Sequence, residues 1–225
     1  KECQAKLKYL WSRWEKVPHT TKRKWLRVHS HKPEFSAEST QIFVELLQAR
    51  LTAIHPSILL RKSDSPDAKY TTGTMEPNEW KALMNKGDNW KSSHLETVVA
   101  IAKEHFEDPN CGGLIIFSEY LAPLDLVEIG IKKTLGRDCL RRDGSVSDKE
   151  KIRNIRWFKN QFEPNEGENY EKKRPIGPLI LLMTSRSGGE GLNLPQGNRT
   201  IILCPSFNPY VDIQAWNRML RRGQL

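Results

Sequence analysis

The 225 residues contain no run approaching eighteen apolar residues, so no membrane-spanning helix is predicted. There is no GxxxxGKS/T phosphate loop and no Asp-Glu pair of the kind that holds a nucleotide-bound magnesium. The four cysteines, Cys3, Cys111, Cys139 and Cys204, are widely separated. They form no CxxC, and none sits beside a His at zinc-ligand spacing, so no metal site is predicted. Cys111, Cys139 and Cys204 lie in or beside apolar stretches, which predicts buried free thiols in a reducing compartment. The first residues, Lys1-Glu2-Cys3-Gln4, show neither an initiator Met nor an apolar leader. The expectation is a piece of a larger protein.

What is present is a globular composition with a localised charge. Hydrophobic residues make up 37% and aromatics 8%, enough to exclude wholesale disorder. The net charge of +9 is uneven. Residues 1–62 hold 13 basic and 5 acidic residues, residues 63–185 hold 18 and 20, and residues 186–225 hold 5 and 2. Basic charge concentrated at both ends suits either a polyanion partner or solvated helix surfaces.

The pattern divides the chain into three stretches: a basic helical extension over 1–62, a connector over 63–91, and an α/β region over 92–225. Leu7, Leu10, Trp11 and Trp14 recur at helical spacing, as do Ile42, Phe43, Leu46, Leu47, Leu51 and Ile54. His55-Pro56 should stop the second helix. The tryptophans read as helix packing and His19, His29 and His31 as solvated. Breakers such as Pro66, Gly73, Pro77 and Gly87 mark the connector, with a short helix expected near Glu79–Met84. Beyond residue 92, two capping boxes are expected, Ser93 with Glu96 and Ser147 with Glu150. The second helix should bury Ile152, Ile155, Phe158 and Phe162. The wholly apolar run at 113–117 reads as a strand buried on both faces, those at 179–183 and 200–204 as further buried strands, and a weaker strand begins at Cys139. A final helix is expected over 211–222. This alternation predicts a parallel sheet with helices on both faces. The loops starting near Ser118, Asp143, Thr184 and Pro205 should then share one edge, where ligands bind in such sheets.

Two segments carry chemistry. Thr184-Ser185-Arg186-Ser187-Gly188-Gly189-Glu190-Gly191-Leu192-Asn193-Leu194 follows directly on a buried strand. Its glycines permit close backbone approach, and its hydroxyls and Arg186 suit phosphate oxygens. In the second segment, Gln214 to Gln224, Arg218 shares a predicted helix face with Arg221 and Arg222. An arginine pair can stabilise the charge of a phosphoryl-transfer transition state.

Together the two segments resemble the C-terminal RecA-like lobe of superfamily 2 helicase-like ATPases of the Swi/Snf type. Gly113–Ser118 is similar to that family's VLIFSQ strand, and Leu140–Ser145 to its RLDGS segment with one residue shifted. Thr184–Leu194 resembles STRAGGxGLNL, Asn198–Leu203 resembles ANRVIIL, and Gln214–Gln224 follows QxxxRxxRxGQ. Residues 51–60 are similar to the family's LRKxxNHPxLL helix end. The GLNLP run and the terminal RxGQ suit the DNA-translocating branch better than the RNA-helicase branches. The sequence departs from the family at several positions. Cys204 stands where Asp is usual, Ser206 where Trp is usual, and Leu220 replaces a common His.

The resemblance implies a two-lobe motor with ATP in the cleft between lobes and double-stranded DNA across both. It implies arginine fingers at Arg218 and Arg221, and nucleotide-side contacts from Gly189, Glu190, Gly191 and Gln214. It implies DNA-backbone contacts from Ser118, Thr184, Ser185, Arg186 and Gly188. ATP and Mg2+ are expected only together with an N-terminal lobe bearing the phosphate loop, so this chain alone should hydrolyse nothing. The implied partners are duplex DNA, that N-terminal lobe and possible nucleosomes, in the nucleus and with no membrane. The competing reading is a degenerate lobe kept as a protein- or DNA-binding scaffold.

Overall fold

The computed structural model describes residues 37–63, 73–108, 111–160, 179–184, 192, 194 and 196–217. The chain divides into two compact units, Lys1–Trp80 and Lys81–Leu225. The helix expected around Leu7–Trp14 lies outside the described residues.

In the first unit, α1 spans Ala37–Ile54 and buries Ala49, Leu51 and Ile54. It ends where Pro56 forbids a helical residue before it. Pro56 instead opens a 3-10 turn, Pro56–Leu60, capped by His55. The His55 Nδ1 accepts from the Ser57 backbone N–H at 3.2 Å. Arg61 then bridges to Met75 in parallel. Helix α2, Pro77–Met84, brings the buried Trp80 indole back to the turn, where its N–H donates to the Ser57 carbonyl at 2.9 Å.

The second unit is an α/β sheet. Its helices and strands alternate as α3 (Ser93–Glu107), β1 (Gly113–Ser118), α4 (Leu121–Leu135), β2 (Cys139–Arg142), α5 (Asp148–Asn160), β3 (Ile180–Thr184), β4 (Gly197–Ile202) and α6 (Pro209–Trp216). The order across the sheet is β2-β3-β1-β4, and every pairing is parallel. The central strands β1 and β3 are buried at every position, as their unbroken apolar runs require.

Alternation divides the strand side chains between two layers. Ile115, Phe117, Leu181 and Met183 pack with Ile155 and Phe158 of α5 and Ala215 of α6. The intervening Leu114, Ile116, Ile180 and Leu182 are also fully buried. Helix α3 contributes Leu95, Val98, Val99 and Ala102 to the core, and α4 contributes Leu124, Leu126, Val127 and Ile131. Each Val, Leu or Ile side chain so taken fully from water contributes about 1.5–3 kcal/mol before entropy is counted.

Local signals set the helix ends, with three adjustments to the sequence reading. The Ser147–Glu150 box forms: Glu150 accepts from the Ser147 backbone N–H at 3.1 Å, and Ser147 Oγ accepts from the Glu150 N–H at 3.3 Å. The Ser93–Glu96 box does not. Ser92, in extended conformation, caps α3 by accepting from the Leu95 N–H at 3.2 Å, which leaves Leu95 where a box needs Glu. Ile152 is 60% exposed rather than buried, because Ile155 and Phe158 already fill the face of α5 that meets the sheet. Strand β4 starts at Gly197 and ends at Ile202, so Cys204 follows the strand instead of ending it. Helix α4 ends at Gly136, whose φ of 62° is the left-handed cap that glycine accepts without strain.

Cys111, Cys139 and Cys204 are free thiols, with Cys204 buried and the other two partly so. Among the described residues, no helix is long and apolar enough to cross a membrane. Nor does any group of three His, Cys, Asp or Glu suit a metal ion.

Candidate functional site

Because all four strands run the same way, their carboxyl ends converge on one edge. Ser118 and Thr184 are register partners there, as the last residues of β1 and β3. Both are buried, and Ser118 Oγ accepts from the Tyr120 backbone N–H at 3.1 Å. That bond turns the chain into α4. Two of the residues assigned to a DNA backbone are therefore abreast at the predicted edge. Ser185, Arg186, Gly188, Gly189, Glu190, Gly191, Arg218 and Arg221 lie outside the described residues.

Gln214 sits on α6, exposed to solvent. Helix α6 is set by Asn208, which caps it by accepting from the Tyr210 N–H at 3.1 Å, and by Pro209 at its first position. One side of α6 buries Ala215 against the sheet. The other exposes Tyr210 and Ile213, with Phe207 exposed just before the helix.

The loops after β1 and β4 are tied together at this edge by Ser206. Its hydroxyl donates to Glu119 at 3.0 Å and accepts from the Asn208 N–H at 3.3 Å. Its backbone N–H donates to Asp212 at 2.9 Å. The backbone N–H of Leu203 donates to the Phe117 carbonyl at 2.9 Å, fixing the start of the same loop.

The loop after β2 is held from beneath by buried charge. Arg141 reaches Asp125 at 2.5 Å and Glu128 at 2.7 Å, both on α4, and Asp143 at 2.7 Å. Lys81 adds a second cation to Asp125 at 2.9 Å. Asp143 is fully buried, and its other oxygen accepts from the Ser145 backbone N–H at 2.8 Å and from its hydroxyl. The Arg141 carbonyl accepts from Asn154 of α5 at 2.8 Å. Burial alone would raise the Asp143 carboxyl, but Arg141 and the two Ser145 bonds overcome it and hold it below the usual range. Burial would likewise lower the Arg141 guanidinium, yet Asp125, Asp143 and Glu128 raise it above its ordinary value. Both groups stay ionised, and the 143–145 loop is fixed as a unit.

Sequence reasoning located this segment by its likeness to RLDGS but gave Arg141 and Asp143 no task. The signal was available in principle. Residues i and i+2 of a strand point the same way, and a strand expected to run on to Asp143 would put Arg141 and Asp143 on one side, although β2 itself ends at Arg142. It also missed the Glu119–Ser206 tie, whose partners are 87 positions apart. Only the parallel pairing brings them together.

Comparison with known proteins places this geometry. The chain is 30% identical to mouse "Helicase-like transcription factor" over 137 residues, which are 60% of this chain and 12% of that protein. Its fold is similar to the C-terminal part of the Fun30 ATPase domain, with a TM-score of 0.58 and 24% identity over 91% of this chain and 74% of that one. It is similar also to the Sulfolobus solfataricus SWI2/SNF2 ATPase core solved in complex with double-stranded DNA, with a TM-score of 0.57 and 19% identity. That likeness covers all of this chain and 35% of the other. The chain thus spans only a small fraction of the curated relative's length. Residues 90–223 match the helicase conserved C-terminal domain, and with its parallel sheet and SWI/SNF-type relatives the chain belongs to that family.

Proposed function

We propose that this chain is the second motor lobe of an ATP-dependent double-stranded DNA translocase of the chromatin-remodelling kind, working in the nucleus. The observation that carries the reading is the shared carboxyl edge, where Ser118, Thr184 and the 143–145 loop converge in a helicase C-terminal fold. Ligands of parallel sheets bind at that edge. The lobe's part is positional and electrostatic. The hydroxyl-rich loop from Thr184 through Ser185, Arg186 and Gly188 grips DNA phosphates together with Ser118. Gly189, Glu190, Gly191 and Gln214 border the nucleotide, and Arg218 and Arg221 act as arginine fingers. Phosphoryl transfer depends mainly on such charge stabilisation, so a lobe without a phosphate loop still contributes to turnover. ATP and Mg2+ are held only with the N-terminal lobe present. The exposed Phe207, Tyr210 and Ile213 support an apolar contact with that lobe near the start of α6.

Three experiments test this. The purified chain is expected to show no ATPase activity, and hydrolysis at an ordinary motor rate would refute the single-lobe reading. Its binding to duplex DNA is expected to weaken steeply with salt and to ignore base sequence. In the two-lobed protein, Arg218→Ala should abolish turnover while DNA binding persists. Unchanged turnover would defeat the arginine-finger assignment.

A second reading is a non-catalytic scaffold lobe, favoured by the acidic side chains at the edge. Glu119 and Asp212 both bond to Ser206, where the family usually has Trp. It expects normal DNA or protein binding with turnover already absent in the intact parent.

A further inference from the structure

Helix α5 is strongly basic, with five Lys or Arg among its thirteen residues against two acids. Both acids are occupied. Asp148 pairs with Lys151 at 2.9 Å, while Glu150 closes the cap with Ser147 and lies 3.8 Å from Arg153. Among the described residues, Arg156 and Lys159 are left with no acidic partner. They lie beside a groove of about 420 Å3. Among the described residues its apolar lining is Ile152, Ile155 and Leu192, and its charged lining is Arg142, Arg156 and Lys159, with no acid. Residues 152, 155, 156 and 159 fall on one helical face. The 60% exposure of Ile152 is therefore part of a continuous surface, not an isolated apolar residue. The volume lies within the range of about 300–1,000 Å3 that ligand pockets occupy.

We propose that this groove docks an acidic, apolar-anchored peptide segment of a partner protein. Charge complementarity selects an acidic occupant, since among the described residues every ionisable group in the lining is a cation. The Ile152, Ile155 and Leu192 surface favours a peptide over a nucleic-acid backbone, whose phosphates and small sugar carbons offer little apolar area to cover it. A short segment places one or two Leu-like side chains between Ile152 and Leu192, with carboxylates on Arg156 and Lys159. This is the helix-in-groove mode of recognition, in which a few anchors supply affinity and flanking charge supplies orientation. The inference is independent of whether the lobe works in a motor.

The test uses the whole 225-residue chain and a fluorescein-labelled 12-residue peptide with two leucines one helical turn apart among glutamates, followed by anisotropy. Binding is expected, and the double variant Arg156→Glu, Lys159→Glu should weaken it by at least roughly tenfold, as reversal of a charged contact does. Ile152→Ser should weaken it severalfold, while Lys103→Glu, exposed on α3 and outside the lining, should change it little. Ile152 and Arg156 are exposed and Lys159 is half-buried, and unchanged melting curves would verify that every variant folds. The proposal is overturned by equal affinity for a peptide with lysines in place of the glutamates, or for one with alanines in place of the leucines. It is also overturned if a 20-base-pair duplex loses its own affinity on Ile152→Ser, which would assign the groove to DNA. Concentration-dependent dimerisation abolished by Ile152→Ser would assign it to a second copy of the chain and overturn it likewise.

Discussion

At the amino-terminal edge of the sheet, Gly113 leaves room for the Phe158 ring to lie against the backbone, and a Cβ there would sit 2.2 Å from that ring. The buried His105 closes the same edge by donating its Nε2–H to the Gly112 carbonyl at 2.9 Å. At the carboxyl edge of the same strands, the loops are held instead by ions and charged hydrogen bonds. Arg141 sits among three carboxylates, and Ser206 sits between Glu119 and Asp212. One edge is sealed by contact and a neutral ring. The other is braced by charge from below. A loop that must meet a ligand cannot fill its own upper surface with packing, so its fixed points lie beneath it. The difference suits an edge that binds and an edge that only closes.

The comparison breaks most directly at Arg141. Arg141→Met would leave Asp125, Glu128 and Asp143 around a missing cation, with Lys81 reaching only Asp125. Breaking a buried ion set in this way costs about 3–5 kcal/mol, and urea unfolding should register it. A loss below ~1 kcal/mol would mean the carboxylates are already neutralised or solvated, and the brace would be fictitious. Acid should act on the same place. The Asp143 carboxyl titrates below its ordinary value in the folded chain, so its contribution is complete above the unfolded pKa of about 3.9. It is lost as pH falls below that value toward the depressed folded pKa. Asp143→Asn should flatten this part of the acid-unfolding profile.

Gly113→Ala tests the sealed edge. The added methyl would meet the Phe158 ring at 2.2 Å, and overpacking of this kind costs about 1–3 kcal/mol. Because the loss arises from contact alone, Phe158→Leu should partly rescue it in a double-mutant cycle. Duplex affinity of the folded variant should be unchanged. A change in DNA affinity equal to that caused by edits at the carboxyl edge would erase the functional distinction between the two ends.

Ser206→Ala is smaller in energy but aimed at the site. It removes the donor to Glu119 and the acceptor of the Asn208 N–H. A loss of about 1 kcal/mol is expected by thermal unfolding, in keeping with an ordinary hydrogen bond. Crossing it with Glu119→Ala, which removes the acceptor, should reveal coupling of roughly 0.5 kcal/mol or more, since the two residues touch. Strict additivity would show that the tie between the β1 and β4 loops is not energetically real.

How far the sequence revealed these edges depended on the range of the interaction. The strands at Gly113 and Ile180 were legible because both faces are buried and four or five apolar residues run without a break. The Ser147–Glu150 cap was legible because its partners are three residues apart. The Ser93–Glu96 spacing was equally suggestive and still failed, since neighbouring Ser92 supplies a hydroxyl one residue earlier. Ile152 looked like core because it falls on the apolar period of α5. Yet the sheet had room for only Ile155 and Phe158 among the described residues of that face. The Arg141 cluster joins residues 16 and 13 positions apart across a crossover, and no local pattern announces such a set. At the site, Ser118 and Thr184 were correctly brought to one edge by topology. Their burial and the bond from Tyr120 to Ser118 depended on the turn, which composition does not encode.

The smallest effect expected is at His105, and it sharpens the contrast in kind as well as size. Burial lowers its pKa below the ordinary 6.5, against the opposing pull of the Gly112 hydrogen bond. A base whose folded pKa is depressed binds fewer protons folded than unfolded. Its contribution is therefore complete above about pH 6.5 and is lost as pH falls through the folded value. The melting temperature should decline modestly from pH 7.5 to 5.5, a range in which Asp143 stays ionised throughout. His105→Gln keeps a donor for the Gly112 carbonyl and cannot titrate, so it should remove that slope while leaving stability at pH 7.5 close to the parent value. If the slope survives in the Gln variant, the neutral edge is not where the chain senses mild acid. The separation of a proton-sensitive seal from a permanently ionised brace would then fail.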